Sequence, residues 1–153
     1  MVTASLSALD VSLVLLCGII AWTDIRRGII PDWCNALIAA IGLLSVFLAG
    51  RDVLSSLINP ILVLAIFVLI RLLYRRLRGH NGLGLGDVKF LAAATIRTGM
   101  TGFVMLLLCA CVTGLLEIAL RRMRGEPITS RTALRFGPHL ALGFVSVIYL
   151  FQP

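Results

Sequence analysis

The sequence has 153 residues, 59% of them hydrophobic and only 14% charged, with a mean hydropathy of +1.04. Soluble domains carry about a quarter charged residues, and a core this small cannot hide so much apolar surface from water, which excludes a soluble globular protein. The net charge of +7 and pI near 10.3 do not point to nucleic acid, because no soluble fold is left to present a basic surface; in a polytopic membrane protein, basic loops record topology and contact with anionic lipid. The expected class is an all-α integral membrane protein, read as one membrane-embedded domain over residues 1–153.

The N-terminal "MVTASLSALD" lacks the positive n-region of a signal peptide, so the first span is expected to be retained. Apolar runs predict spans at about Ala8–Trp22, Cys34–Gly50, Val53–Tyr74, Val88–Arg97, Gly102–Leu120 and Gly137–Phe151. A comfortable crossing takes about 20 apolar residues, and the fourth run falls short of that. Closed by Arg97, it reads either as a tilted span with Arg97 snorkelling or as a helix lying partly in a protein-lined cavity. Charge favours a crossing. Twelve basic residues fall in the first, third and fifth connections, from Arg26 and Arg27 through the groups at 71–89 and 121–135, against only Arg51 and Arg97 in the other two. The positive-inside rule then predicts about six transmembrane helices, with both termini outside and the three basic connections in the cytoplasm. The fifth connection, "RRMRGEPITSRTALRFGP", is the longest and most polar, and is expected to be a mobile cytoplasmic loop. The four cysteines (Cys17, Cys34, Cys109, Cys111) show neither CxxC nor metal-ligand spacing and read as small hydrophobes. No metal and no cofactor are expected.

The acids carry the functional signal. Asp52 and Glu126 lie in connections and read as solvated charges; Asp10 sits near the outer end of span one; Glu117 lies in the last turns of span five, with Arg121 four residues on as a partner. Asp24 and Asp87 differ. Span one runs inward and ends at Asp24, while span four runs outward and begins at Asp87, so topology brings both to one cytoplasmic border. Asp24 lies in "WTDIRRGIIPDWCN", where Gly28 allows a turn and Pro31 stops any continuing helix; Asp87 follows Gly82, Gly84 and Gly86, which permit sharp turns or the close approach of another chain. Two close carboxylates can share a proton, one taking a proton from water while the other donates to a carbonyl oxygen. On spacing and topology alone, the pair reads either as such a catalytic dyad or as acids capping helix ends. A phosphate loop is excluded, since "GLGLGDVK" completes neither GxxxxGK[ST] nor GxGxxG. Lys89, on another helix face from Asp87, reads as a border anchor.

The stretches "DIRRGIIPD" (24–32), "GLGLGDVKFLAA" (82–93) and "FGPHLALG" (136–143), in that order on a six-span layout, resemble the type IV prepilin peptidases, membrane aspartyl proteases of the GxGD class. GxGD appears as Gly84, Leu85, Gly86 and Asp87. The resemblance implies that Asp24 and Asp87 are catalytic, that Gly84 and Gly86 shape the loop beside Asp87, that Pro31 belongs to the D-x-x-x-x-x-x-P segment and that Pro138 bends entry into span six. It implies a structural role for Asp32, and no cofactor. It also implies an inner-membrane peptidase with its active site facing the cytoplasm, removing the basic leader that precedes the hydrophobic helix of prepilins, Flp-type pilins or pseudopilins, beside pilus or secretion assembly proteins. The paired CxxC domain of bifunctional members is absent, which points to the short form without N-methyltransferase activity. Two other classes remain open: a non-enzymatic membrane subunit of a pilus or secretion system, and a small transporter using intramembrane acids, against which both aspartates lie at a border rather than mid-span.

Overall fold

The computed structural model describes residues 2–79, 82–125 and 134–150. The expectations for Glu126, for Arg131 and for the body of the fifth connection lie outside the described residues. The described residues form five α-helices: α1 (Val2–Arg27), α2 (Asp32–Leu48), α3 (Val53–Arg78), α4 (Leu85–Met123) and α5 (Gly137–Leu150). No strand occurs among the described residues. Ala8–Arg27 of α1, the whole of α3 and the whole of α4 are long and apolar enough to cross a membrane, while α2 and α5 are apolar but shorter. The protein is all-α, and its apolar helices are those of a membrane protein.

Local chemistry sets the helix ends. α1 stops at Gly28, whose φ of +68° is a left-handed conformation that only glycine adopts cheaply. Pro31 is extended and precedes α2, its carbonyl accepting the N–H groups of Cys34 and Asn35 at 3.1 and 3.4 Å. Asp52 was expected to be only a solvated charge. It is exposed, but it also caps α3, accepting from Leu54 N at 3.1 Å, from Ser55 N at 3.2 Å and from the Ser55 hydroxyl. The Ser55 hydroxyl first, and then the two amides, hold its carboxyl below the usual carboxylate range.

The largest difference from the sequence reading is α4. Two spans with a connection were expected; two helical halves are found, joined with no intervening loop at Gly99 (φ +68°, ψ −174°). The contacts show that the chain reverses there. In residues 85–98, fourteen residues and about 21 Å of helix, Phe90 packs edge-on against Phe144 with ring centroids 5.8 Å apart. At the end of this half, Arg97 reaches Asp10 at 3.1 Å. In residues 100–123, Gly102 lies against Val147, Gly143 against the backbone of Leu106 and Ala110, and Glu117 against His139. That second half is antiparallel to α5 and returns to the end of the molecule where Asp24 lies. α4 is therefore a helical hairpin folded at a single glycine.

The hairpin settles the two readings of Arg97. Its side chain and that of Asp10 are 11% and 8% exposed, so the guanidinium is paired inside the protein and does not snorkel. Lys89, expected as a border anchor, is ion-paired with Asp32 at 2.7 Å, both exposed. The expected Glu117–Arg121 pair forms.

α4 is the hub, packing on α2, α3 and α5, while α1 packs on α5 and α2. Leu13, Ile20, Ile38, Phe90, Leu106 and Phe144 are fully buried between them. The outer faces stay apolar: Leu54, Ile61, Leu69 and Leu77 of α3 are largely exposed, a surface that lipid satisfies and water does not. The last turns of α1, α3 and α4 all carry arginines, Arg26, Arg75 and Arg121 among them, and all three turns lie at the Asp24 end. The four cysteines are free thiols.

The α4–α5 seam depends on an absent side chain. A Cβ on Gly143 would come 2.5 Å from the Leu106 carbonyl oxygen and 3.4 Å from Ala110 N, backbone atoms that cannot swing aside. Gly143→Ala is expected to cost about 1–3 kcal/mol by overpacking, read as a lower thermal midpoint in detergent. Gly18→Ala is the control, because its added methyl meets nothing within 4 Å; equal midpoints for the two variants would refute this account of the seam.

Candidate active site

Asp24 lies in the last turn of α1, where Gly28 N–H donates to its carbonyl oxygen at 2.8 Å. After Gly28 the chain folds back through Ile29, Ile30 and Pro31, with Ile30 buried beneath. Asp87 stands in the first turn of α4, three residues past the extended N-cap residue Gly84. Its carboxylate turns back to the backbone of Gly84, the reciprocal half of a capping box. Asp87 is thus not the N-cap itself but the acid that returns to it.

The glycines before Asp87 have distinct local reasons. A Cβ on Gly84 would stand 2.6 Å from Asp87 Oδ2, and one on Gly86 would stand 3.0 Å from Ile30 Cβ. Gly84 makes room for the carboxylate, and Gly86 lets the fold-back after α1 approach. Neither has positive φ, so close approach, rather than a left-handed turn, is what they supply. The same loop is tied on both sides: Arg71 donates to the carbonyl of Leu83, and Asn35 Nδ2 donates to the carbonyl of Gly86 at 3.4 Å.

These two segments enclose an open cavity of about 460 Å³, lined by residues 28–32, 84–87, Asp24 and Lys89. Asp24 and Asp87 share its wall, near enough for their charges to interact. Asp24 is only 6% exposed, so its carboxylate needs a buried donor. Gly137 N–H provides one, donating to Asp24 Oδ2 at 2.9 Å. A Cβ at Gly137 would lie 2.8 Å from Cβ, Cγ and Oδ2 of Asp24, so the close approach of α5 requires glycine there. Among the described residues, no group of three or more His, Cys, Asp or Glu could hold a metal.

Of the residues singled out from sequence, the structure brings Asp24, Pro31, Gly84, Gly86 and Asp87 to this cavity. Pro138 does not line it. It is the second residue of α5, a first-turn position at the helix entry that suits proline. Its neighbour Gly137 is the residue at the acid, and "FGP" was the signal that could have found it. His139 was also passed over. Its Nε2 meets Glu117 Oε2 at 2.8 Å and its Nδ1 meets Thr113 Oγ1 at 3.1 Å. Those bonds fasten the first turn of α5 to the returning half of α4, and so set where Gly137 stands. Arg135 lies over Gly28, where a Cβ would fall 1.6 Å from its guanidinium nitrogen.

An all-helical membrane protein with two aspartates on one cavity wall has the makings of a membrane-embedded aspartic-type protease. Residues 11–118 match the type IV leader peptidase family, and the chain belongs to it; it is an aspartic-type leader peptidase. Among curated proteins it is similar to Leader peptidase HopD of Escherichia coli, 36% identical over 126 residues that cover 80% of each chain. No solved structure matches it. The matched region reaches Asp24, Pro31, Gly84, Gly86 and Asp87, and ends before Gly137 and Pro138.

Proposed function

We propose that the protein removes the basic leader of prepilins, Flp-type pilins or pseudopilins at the cytoplasmic border of the inner membrane, with Asp24 and Asp87 as its catalytic pair. The observation that carries this reading is the meeting of the two aspartates, from α1 and α4, on the wall of one open cavity. One carboxylate takes a proton from a water held between them, and the resulting hydroxide attacks the scissile carbonyl carbon. The other, protonated, donates to the carbonyl oxygen, giving a tetrahedral diol. Collapse of the diol breaks the C–N bond; the leaving amine takes the proton gained from water, and the first carboxylate is regenerated as the diol returns its proton to the second. The Gly137 amide holds Asp24 Oδ2 throughout. The residues around the cavity supply positioning and proton transfer, worth about 10²–10⁴-fold for each proton-transfer group.

Six crossings with both termini outside agree with the reversal at Gly99 and with the arginines gathered at the Asp24 end. In this reading residues 1–153 form one peptidase domain, in contact with lipid along its apolar faces and with its substrate at the cavity. The activity is tested by co-expressing the protein with a prepilin and sequencing the product's N-terminus. An uncut prepilin in the presence of membrane-inserted wild-type protein sinks the proposal. Orientation is tested with single cysteines in a background without native ones. Arg78→Cys is expected to react with an impermeant maleimide only after the inner membrane is opened, and Ala49→Cys in cells with only the outer membrane permeabilised; labelling of both from one side refutes the six-span topology.

A further inference from the structure

α2 packs mainly on α4 and only lightly on α3. Between α2 and α3 lies a groove of about 340 Å³ with the first half of α4 as its floor, and its walls are apolar, among them Ala39, Ile61, Leu64 and Ala92. The only polar residues lining it are Asn35 and Lys89, both at the Asp24 end, and Lys89 also lines the cavity of the two aspartates. The groove and the cavity therefore meet at the Lys89 side chain. It extends along α4 from Lys89 to Ile96, about 10 Å or two helical turns.

Asn35 stands at the junction. It is 5% exposed, and its Nδ2 donates to the carbonyl of Gly86. Its Oδ1 is buried and has no donor, a state that folded proteins rarely tolerate without a partner to come. The Nδ2 contact fixes the orientation of the amide, since a flipped group would set oxygen against oxygen. The missing partner must supply a hydrogen-bond donor at the polar end of an apolar groove. The first turn of a helix does so, because its leading N–H groups have no acceptor within the helix. A lipid acyl chain offers none.

We infer that this groove docks the apolar helix of the substrate immediately after the scissile bond, with Asn35 Oδ1 accepting an N–H from that helix's first turn. The inference rests on the leader-peptidase reading above. It deepens that reading by giving the substrate a direction: the leader lies in the cavity, the chain passes Lys89, and the helix runs along α4 toward Ile96. Oδ1 is shielded from solvent, and the light packing between α2 and α3 is what lets an entering helix part them and reach it. The small side chains of Ala39, Ala92 and Ala93 let a helix backbone approach closely.

The test uses the full-length enzyme in lipid bilayers with two substrates: an intact prepilin, and a peptide ending a few residues past the scissile bond. Ala92→Leu fills the floor of the groove and is expected to lower the ratio of kcat/KM for prepilin over peptide about tenfold, chiefly through KM for prepilin. A photo-crosslinking residue at Ile61 is expected to capture prepilin, and the same residue at Leu69, outside the groove, is not. An unchanged ratio, or capture of lipid alone at Ile61, overturns the inference. Should Ala92→Leu fail to fold, the crosslinking arm decides by itself. If wild-type enzyme cleaves neither substrate while Ile61 still captures prepilin, docking stands and the catalytic reading falls; no cleavage and no capture overturns both.

Discussion

Asp24→Asn and Asp87→Asn, tested singly, are each expected to slow leader removal by about 10²- to 10⁴-fold while the protein still accumulates in the membrane. Asparagine keeps the size of the side chain and, at position 24, keeps an oxygen able to accept the Gly137 N–H that now bonds to Oδ2. The substitution therefore leaves the meeting of α1 and α5 in place and removes only the ability to gain and lose a proton. In the proposed mechanism the two acids act as one unit, so the double variant should be little slower than either single one. Quantitative blotting of processed and unprocessed prepilin, normalised to enzyme level, gives the measurement. Processing at the wild-type rate by both single variants would overturn the assignment of the pair.

The second large effect is expected at a residue without a side chain. In Gly137→Ala the new methyl would stand 2.8 Å from three atoms of Asp24, closer than carbon and oxygen can approach. Asp24 is buried and cannot move freely into solvent. Either α5 backs away and the Gly137 N–H loses its acceptor, or the carboxylate swings from its place in the cavity wall. A misplacement of about 1 Å at reacting groups costs about 10²-fold, so kcat is expected to fall by about that factor with the peptide substrate. Pro138→Ala, one residue further on and away from the cavity, is expected to lose far less, since it alters only the start of α5. Equal losses in the two variants would mean that the helix start, and not the contact with Asp24, is what matters.

Much of the fold was legible because hydropathy reports helices directly. The run from Val53 could be read from composition, although its end was placed at Tyr74 and the helix runs on to Arg78, and Gly28 and Pro31 marked the fold-back after α1 for local reasons. What could not be read depends on contacts distant in sequence. The polar interval around Arg97 and Thr98 announced a break, but nothing local distinguished a loop from a hairpin turned on Gly99. That answer comes from the second half of α4 lying against α5. Asp10 and Arg97, 87 positions apart, gave no sign of each other. At the site, the motif led to Asp87 and its glycines, yet Gly137 carried no weight beside the conspicuous Pro138, because the importance of a missing Cβ shows only when another element presses against it. Asn35, one residue after a buried cysteine in an apolar helix, read as part of the span; its unpaired oxygen exists only in three dimensions.

The buried pair of Asp10 and Arg97 bears on how the protein is made. An arginine carried into hydrocarbon without a partner is costly, and residues 85–98 bring Arg97 to the far end of the molecule from Asp87. The carboxylate that receives it belongs to α1, which leaves the ribosome before α4 does. Chain order thus has the acceptor waiting before the cation arrives, and the hairpin can enter as one unit with its charge already matched. A chain begun after Asp10 would keep every residue of the cavity and still have nowhere to put Arg97.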